Sequence, residues 1–295
     1  MTPKIIKERK CHMGKTIVIT NRKGGVAKSF TVANLAIGLA RQGKKVLCLD
    51  LDNQNSLTLS LGVSEPDKLP FSIASVILSI INKSEIDPTE GIIRHEEGID
   101  LMPANSSLTG IELALAPLVG REIIIRKYLN KVKHLYDFCL LDTSPTLDLL
   151  TINALAAADS VIIPVVPKYL DAKGLELLLH SIVDIREDIN PKLDICGILL
   201  TMVNKRTNFN KNITTTIKEA YGEHLRIFKD QIPYSVRAAE TSAIGKSIFT
   251  HDPNGKVASA YASLTEEVLE CFAHDSIGKI ATTYSTFPEG VLASA

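Results

Sequence analysis

The segment at 21–36, NRKGGVAKSFTVANLA, contains the side chains that phosphate chemistry requires. Gly24 and Gly25 would let the backbone approach an anion closely. Lys28 could reach the β- and γ-phosphates of a nucleotide, and the Ser29 hydroxyl could ligate Mg²⁺. These residues predict a nucleotide-binding loop, and the alternative is a simple Gly-Gly turn followed by a solvated lysine.

The loop departs from the common phosphate-loop pattern, in which glycine is followed by four residues and then by Gly-Lys-Ser/Thr. Counting back from Lys28 places Arg22 and Ala27 at the two glycine positions. Because alanine lacks the conformational freedom of glycine, we expect Ala27 to be tolerated only with a negative φ.

Carboxylates end two strand-like runs further along the chain. Asp50 and Asp52 belong to LDLDNQNS, and their spacing of two places them on one face of a strand. Asp142 belongs to LLDTSP and follows an apolar run, as the magnesium-anchoring aspartate of phosphate-loop NTPases does. A single aspartate at such a position is more often a plain strand-end cap. The order of the loop and the two acidic sites favours a common site instead.

Short apolar runs alternate with longer amphipathic ones, which predicts the elements that would position these residues. The predicted strands are KTIVITN, KKVLCLDLD, GIDLMPA, YDFCLLDT, DSVIIPVVP and LDICGILLTMV. Helical patterns cover 29–41, 108–135 and 172–187. The alternation predicts an α/β fold with one doubly wound, mostly parallel sheet that has helices on both faces. We expect one domain over 15–273, a flexible N-terminal extension at 1–14 and a C-terminal tail at 274–295.

Composition limits the other classes of function. Lys plus Arg equals Asp plus Glu at 33 each, so no global field attracts nucleic acid or membrane. The five cysteines are scattered and form no Cys-x-x-Cys pair, which argues against a disulfide framework or a zinc site. We expect them to be small buried side chains in a cytoplasmic protein, because no run has the length of a signal peptide or membrane span.

Several motifs resemble those of the ParA/Soj/MinD family of deviant Walker A ATPases. KGGVAKS resembles the family's deviant Walker A loop, with its additional lysine at Lys23. DLDNQ resembles the DxDPQ box and LDTSP the Walker B segment. QIPYSVRAAETSAIGKSI resembles the C-terminal Ile-Pro, Arg and Glu stretch, so the resemblance runs over about 14–272.

The resemblance implies a role for each matching residue. Lys23 would cross the dyad of an ATP sandwich dimer to the partner's phosphates and, with Asp52, which would orient the attacking water, make up the catalytic set. The implied nucleotide contacts are Gly24, Gly25, Val26, Ala27, Lys28, Ser29, Phe30, Asn204 and Pro233. The implied ligands of Mg²⁺ or its waters are Ser29, Asp50 and Asp142.

The chain also departs from the family pattern at three further positions. Phe30 replaces a threonine that gives the α-phosphate a hydroxyl, Asn53 replaces the proline of the DxDPQ box, and Ser144 replaces the first proline of the Walker B segment. These departures bear on nucleotide affinity and hydrolysis rate more than on the fold.

A local excess of cations suggests a DNA-binding surface. The segment at 204–256 has nine cations and five acids, a net charge of +4 in a neutral chain. The candidate DNA-binding residues are Arg237, Lys211, Lys218, Arg226 and Lys246. The alternative is an ordinary solvated face. Resemblance to ParA and Soj proteins, whose dimers bind DNA without sequence preference, favours the first interpretation.

The sequence therefore predicts a cytoplasmic, nucleoid-associated partitioning ATPase for plasmid or chromosomal DNA, weakly active until a ParB-like centromere-binding protein stimulates it. A MinD-like membrane-cycling ATPase is the alternative, although the chain ends in FPEGVLASA, which is neither basic nor helical in period. A redox protein of the nitrogenase iron protein type is disfavoured, because Cys139 lies within a predicted strand rather than on a dimer face.

Overall fold

The computed structural model describes residues 14–204 and 208–273, so the predicted behaviour of 1–13 and of the tail at 274–295 lies outside the described residues. All six predicted strands are present. The strands are β1 (Lys15–Ile19), β2 (Val46–Leu51), β3 (Ile93–Arg94), β4 (Asp100–Met102), β5 (Phe138–Thr143), β6 (Ser160–Val165) and β7 (Asp194–Leu200). The additional strand, β3, has only two residues, too few for a periodic pattern to reveal.

The strands form one sheet in the order β3-β4-β2-β5-β1-β6-β7. Every neighbouring pair is parallel except β3 and β4, which confirms the predicted mostly parallel sheet. Strands β2, β5 and β6 are buried along their whole length, as expected for strands covered on both faces. Their carboxyl ends meet at one edge of the sheet, where the predicted site residues stand.

Helices connect the strands and cover both faces. The α-helices are α1 (Lys28–Arg41), α2 (Ser56–Ser60), α3 (Ile73–Ile81), α4 (Ile111–Leu115), α5 (Ile124–Val132), α6 (Leu149–Ala157), α7 (Tyr169–Asp188), α8 (Asn208–Tyr221), α9 (Val236–Ile244), α10 (Ile248–His251) and α11 (Lys256–Ala273). Short 3₁₀ turns occur at Pro66–Lys68, Ser106–Gly110, Arg121–Ile123 and Lys133–Leu135. Within the described part of the chain, no helix combines the length and apolar character needed to cross a membrane.

The helical pattern predicted over 108–135 is not one helix. It is divided into α4, α5 and 3₁₀ turns, and the break between α4 and α5 contains Pro117 and Gly120. Proline has no N–H to continue the helical bonds, and Gly120 has φ 70°, a left-handed conformation outside the helix. The apolar spacing correctly indicated which residues are buried. Pro117 and Gly120, however, end the helix between α4 and α5.

The hydrophobic core has two parts, one on each face of the sheet. Alternate residues of each strand point to opposite sides: Val18 packs with α3 to α8, whereas Ile17 and Ile19 pack with α1, α2, α10 and α11. The sheet is therefore held between two layers of helices. This packing fixes the carboxyl ends of β1, β2 and β5 against one another.

Candidate nucleotide-binding site

The Gly-Gly loop at 21–27 connects β1 to α1 and is fastened to two neighbouring strands. Asn21 Nδ2 donates to the carbonyl oxygen of Pro164 in β6 at 2.7 Å. Thr201, directly after β7, donates through Oγ1 to the carbonyl oxygen of Val26 at 3.0 Å. The loop is thus held from three strands at the sheet edge, so its N–H groups and the N-terminus of α1 have a fixed direction.

Ala27 does not have the negative φ that we expected. Its φ is 67° and its ψ 36°, the left-handed conformation, at the N-cap of α1. The prediction is wrong because the turn into the helix imposes this geometry: Thr31 N donates to Ala27 O at 2.9 Å and closes the first helical turn. A left-handed alanine costs about 1–2 kcal/mol. The fold keeps this strain at the point where the loop enters α1.

Lys28 is buried next to the acidic residues. Its side chain is 7% exposed, and Nζ donates to the carbonyl oxygen of Lys23 at 3.2 Å. Burial lowers the pKa of Lys28, and the charges of Asp142 and Asp52 oppose that shift. The ammonium group therefore lies between the loop and the carboxylates, as the predicted phosphate-contacting lysine would.

Asp142 lies in the middle of the sheet edge. β5 runs between β1 and β2, and Asp142 is in register with Ile19 on one side and Asp50 on the other. Its side chain has no exposed surface, and neither carboxylate oxygen has a hydrogen-bond partner of good geometry among the described residues. Burial and the nearby Asp50 raise its pKa, and the Ser29 hydroxyl acts in the opposite direction. A buried carboxylate without partners is costly unless a bound group completes it.

Asp50 has a different environment from Asp142. Its Oδ1 accepts from Asp52 N at 3.1 Å, and its Oδ2 accepts from Thr58 N at 2.8 Å and from Thr58 Oγ1 at 2.6 Å. Burial raises the pKa of Asp50 to about 6, although these hydrogen bonds act in the opposite direction. Asp50 therefore anchors the start of α2. The sequence did not indicate Thr58, which lies eight residues away and is brought to Asp50 by the turn at 53–55.

Asp52 is 6% exposed and faces the same space as Lys28 and Asp142. Its Oδ1 accepts from Gln54 N at 2.9 Å, which fixes the turn that follows β2. Among residues 14–204 and 208–273, no group of three or more His, Cys, Asp or Glu side chains could hold a metal ion. Proteins commonly bind Mg²⁺ through one or two carboxylates together with substrate phosphates. Asp142, whose oxygens make no hydrogen bond of good geometry within the described chain, and the nearby Ser29 hydroxyl make a donor set of that kind.

The segment after β5 lies against the phosphate loop. A Cβ atom placed on Gly24 would lie 3.9 Å from Pro145 Cβ. Ser144, which stands where the family has proline, is held by hydrogen bonds instead: its Oγ bonds to the carboxylate of Asp148 and lies 2.9 Å from Thr146 Oγ1. Hydrogen bonds of Ser144 thus hold the segment after β5 where the family has a proline ring. No local pattern in the sequence indicated these bonds.

Asn204 and Pro233, the predicted base-contacting residues, line one cavity of about 630 Å³. The structure adds lining residues that the sequence did not indicate: Val203, Asp230, Gln231, Tyr234, Lys256, Ser259 and Ala260. Phe30 packs edge to face on Tyr261, with ring centroids 5.5 Å apart. The Tyr261 hydroxyl lies 2.9 Å from Thr31 Oγ1. Phe30, which stands where the family has a threonine, thus contributes a packing contact between α1 and α11.

The predicted DNA-binding residues are spread over several elements. Lys211 and Lys218 are exposed on α8. Arg237 on α9 bonds through Nη1 to Asp252 Oδ1 at 2.9 Å, and Lys246 Nζ lies 3.8 Å from Glu96 Oε1. Arg226 donates through Nη1 to Cys271 Sγ at 2.9 Å. Lys205 and Arg206, which contribute to the local charge of +4, lie outside the described residues.

The sheet order, the glycine-containing loop between β1 and α1, and the carboxylates at the strand ends define a phosphate-loop α/β protein. A family described as AAA domain matches residues 14–195. The sporulation initiation inhibitor protein Soj of Bacillus subtilis is 37% identical over 87% of this chain and 98% of its own length. The chromosome-partitioning ATPase Soj of Thermus thermophilus is 37% identical over 86% and 95%.

A solved structure extends the comparison. The crystal structure of cobyrinic acid a,c-diamide synthase from Mycobacterium smegmatis with bound ATP analog and magnesium is 32% identical to this chain. It covers 89% of this chain and 97% of its own, with a TM-score of 0.77. The chain belongs to the ParA/Soj family of partitioning ATPases.

Proposed function

We propose that this protein is a ParA-type partitioning ATPase that hydrolyses ATP weakly as a sandwich dimer and binds DNA without sequence preference in its ATP-bound form. The relatives support an ATPase that uses ATP and Mg²⁺. The observation that carries the proposal is the site at the carboxyl edge. There a buried lysine lies near a buried carboxylate for which no hydrogen bond of good geometry is found among the described residues, and both face the loop and the N-terminus of α1.

The residues of this chain fit an ATP and magnesium site. The Gly24 to Ser29 backbone and Lys28 would bind the phosphates, and Ser29 with Asp142 would hold the metal. When bound, Mg²⁺ neutralises phosphate charge and ATP supplies the phosphoryl group that water attacks. Asp52, whose turn is fixed by Gln54, would orient that water, whereas Asp50 would hold Asp52 in place through the bond to its N–H.

Lys23 is the residue through which dimerisation would promote hydrolysis. It precedes Gly24 on a loop fastened to β6 and β7, and its own carbonyl oxygen accepts from Lys28. A lysine supplied by a second subunit would stabilise the charge that develops in phosphoryl transfer, as an arginine finger does. Hydrolysis would then require two chains, which couples the chemistry to assembly.

Three variants of the loop test the proposal. Lys28→Ala should impair ATP binding, because this lysine contacts the phosphates of its own subunit. Lys23→Ala should retain binding but lower the hydrolysis rate by about 10³-fold or more, the range of arginine-finger effects. Arg22→Ala, an exposed neighbour on the same loop, is the matched control and should behave as the wild type. Fluorescent-nucleotide binding, phosphate release and light scattering with ATP measure the three effects.

A Lys23→Ala protein that hydrolyses ATP at the wild-type rate would remove the basis for the sandwich mechanism. Two further measurements address the finer parts of the proposal. Fluorescence anisotropy of a random duplex, with ATP or ADP, tests nucleotide-dependent DNA binding. Sedimentation with liposomes tests the MinD-like alternative, which requires ATP-dependent membrane binding. ATP turnover that depends on an added carboxylic acid substrate would instead favour the reaction named for the Mycobacterium smegmatis protein.

A further inference from the structure

Two cysteines meet in the core layer that contains α1 and α11, near the start of β7 and away from the carboxyl edge that carries the acidic cluster. Cys196 belongs to β7 and Cys271 to the last turn of α11, and both lie in the core that contains α1 and α11. The two thiols are close enough for Cys196 to act as a hydrogen-bond donor toward Cys271. They are 75 residues apart in sequence, so only the packing of α11 on β7 brings them together.

An arginine completes this thiol cluster. Arg226 Nη1 lies 2.9 Å from Cys271 Sγ. The backbone of Arg226 is fixed beside β7, because Ile198 N donates to Arg226 O at 2.8 Å and Phe228 N donates to Ile198 O at 3.0 Å. Sheet-like bonds therefore fix the backbone that carries this cation. Its side chain is exposed, so the sulfur lies directly beneath a group that contacts water.

The surroundings distinguish the two thiols. The hydrogen bond from Cys196 and the charge of Arg226 lower the pKa of Cys271 to about 7, against burial and the charges of Glu267 and Glu270. The pKa of Cys196 is raised well above its ordinary value, because its proton is held by Cys271 and its side chain is buried. Asp194 acts in the same direction and Arg226 in the opposite one. The surroundings therefore favour the thiolate form at Cys271 and the thiol form at Cys196.

We propose that Cys271 and Cys196 form an oxidation-sensitive thiol pair that closes to a disulfide in the presence of a peroxide. The Cys271 thiolate attacks one peroxide oxygen, which breaks the O–O bond and gives a sulfenic acid on Cys271 and hydroxide. The Cys196 thiol then attacks Cys271, its proton and the sulfenic hydroxyl leave as water, and the S–S bond forms. Two electrons pass from the pair to the peroxide.

The chain supplies its own reference thiols. Cys48 in β2 and Cys139 in β5 are as deeply buried, but burial raises the pKa of each. No contact with a cation like that between Arg226 and Cys271 is found for either among the described residues. Since the thiolate is the nucleophile, Cys271 should react much faster than these two at neutral pH.

The test uses the full chain carrying Cys11→Ser, because Cys11 lies outside the described residues. After treatment with hydrogen peroxide and blocking of the remaining thiols, non-reducing peptide mass spectrometry should find Cys196 linked to Cys271. Without peroxide, the rate of alkylation of Cys271 by iodoacetamide should rise with pH to a midpoint near 7. Arg226→Gln should move that midpoint upward, since it removes the cation.

A further variant separates the two steps of the reaction. Cys196→Ser should leave Cys271 as a sulfenic acid that a dimedone probe labels, whereas Cys48→Ser should leave the linkage unchanged. Alkylation of Cys271 no faster than that of Cys48 or Cys139 would overturn the proposal. So would a disulfide that joins Cys271 to another cysteine. If Cys196→Ser fails to fold, the peptide map and pH profile of the parent chain still decide the question.

Discussion

The two candidate binding regions treat their charged residues in opposite ways. At the phosphate-loop edge, Lys28, Asp50, Asp52 and Asp142 are all buried, and the carboxylate of Asp142 lacks a hydrogen-bond partner among the described residues. In the basic segment at 208–256, the cations are exposed. A buried polar group without a hydrogen-bond partner costs about 1–3 kcal/mol, whereas an exposed ion pair contributes about 0–1 kcal/mol. The first arrangement calls for a ligand, but the second is compatible with water alone.

The net charge counted along a segment also differs from the charge that it presents in the folded protein, because residues from elsewhere in the chain pair with its cations. The net charge of +4 over 204–256 includes Lys246, which pairs with Glu96 from outside the segment, and Arg226, which is directed to Cys271. The carboxylates of the phosphate-loop edge, by contrast, are brought together by the sheet register. Packing therefore brings charged residues together at the phosphate-loop edge, whereas in the basic segment it engages some of the cations in contacts with other residues.

The strongest test of the phosphate-loop edge is Asp52→Ala. We expect phosphate release to fall by about 10²–10⁴-fold, the usual contribution of a positioned acid or base, while ATP-bound dimers accumulate. Light scattering and phosphate release measure the two effects together. Glu85→Ala, which removes an exposed carboxylate that is not part of this site, should leave both unchanged. If no dimer accumulates, the water is oriented by another group, and Asp50 is the next candidate.

The second test concerns Asp142, the carboxylate without partners among the described residues. Asp142→Asn should weaken Mg²⁺-dependent nucleotide binding by about 10–100-fold, the range found when a metal site loses a supporting group. The variant removes the charge but keeps the shape, so the fold should be retained. Titration with nucleotide at several Mg²⁺ concentrations measures the loss. Equal affinity with and without Mg²⁺ in the wild type would contradict the assignment.

The pH dependence of this binding has a definite sign. Burial raises the pKa of Asp142, so the ligand-free protein keeps a proton there at pH values where an exposed aspartate has lost it. Because the metal requires the carboxylate, binding of Mg²⁺ and nucleotide should release protons, and affinity should rise with pH through the raised pKa. Calorimetry in two buffers of different ionisation enthalpy measures the release. Asp142→Asn should reduce it.

The sequence predicted the sheet, its mostly parallel direction and the loop, because β-branched runs and a glycine-rich segment ending in Lys28 and Ser29 are local signals. It could not show that Asp50 and Asp142 are neighbours, since that depends on the register between strands far apart in the chain. The bonds of Thr58 to Asp50 and of Ser144 to Asp148 depend on turns whose course no periodic pattern predicts. Pro117 is a local signal for the division of 108–135, but apolar periodicity outweighed it in the prediction.

The basic segment is tested by a pair of opposite changes. Arg237→Ala should weaken binding to duplexes of any sequence and reduce the salt slope by about one unit for each phosphate that is no longer neutralised, hence about two for a dimer. Asp252→Asn should strengthen binding a few-fold, because it frees Arg237 from its ion pair. Anisotropy of a labelled random duplex at several salt concentrations measures both.

Glu223→Gln is the matched control for this pair, because it adds the same charge on an exposed residue of the segment. A gain for Asp252→Asn that exceeds the gain for Glu223→Gln would assign the effect to Arg237 itself. Equal gains would assign it to the general field. Undiminished binding by Arg237→Ala would show that the segment is an ordinary solvated face.

The phosphate-loop edge and the basic segment also differ in backbone strain. A change in that strain is expected to give the smallest of the effects predicted here. Four non-glycine residues in the described chain have positive φ. Three of them, Ala27, Asn55 and Met202, follow β1, β2 and β7 at the carboxyl edge. Over 208–256, only Gly245 has a positive φ. Strain that persists in a packed protein clusters at functional sites.

Ala27→Gly should therefore stabilise the ligand-free protein, by about 0.5–1 kcal/mol, because relief of the left-handed alanine exceeds the added entropy of the unfolded chain. Ala33→Gly, in the interior of α1, should destabilise it by about 1 kcal/mol or more, since there glycine has only its entropic cost and the loss of a buried methyl group. Urea unfolding measures both. Two variants that shift stability in the same direction would show that the conformation of Ala27 is not strained.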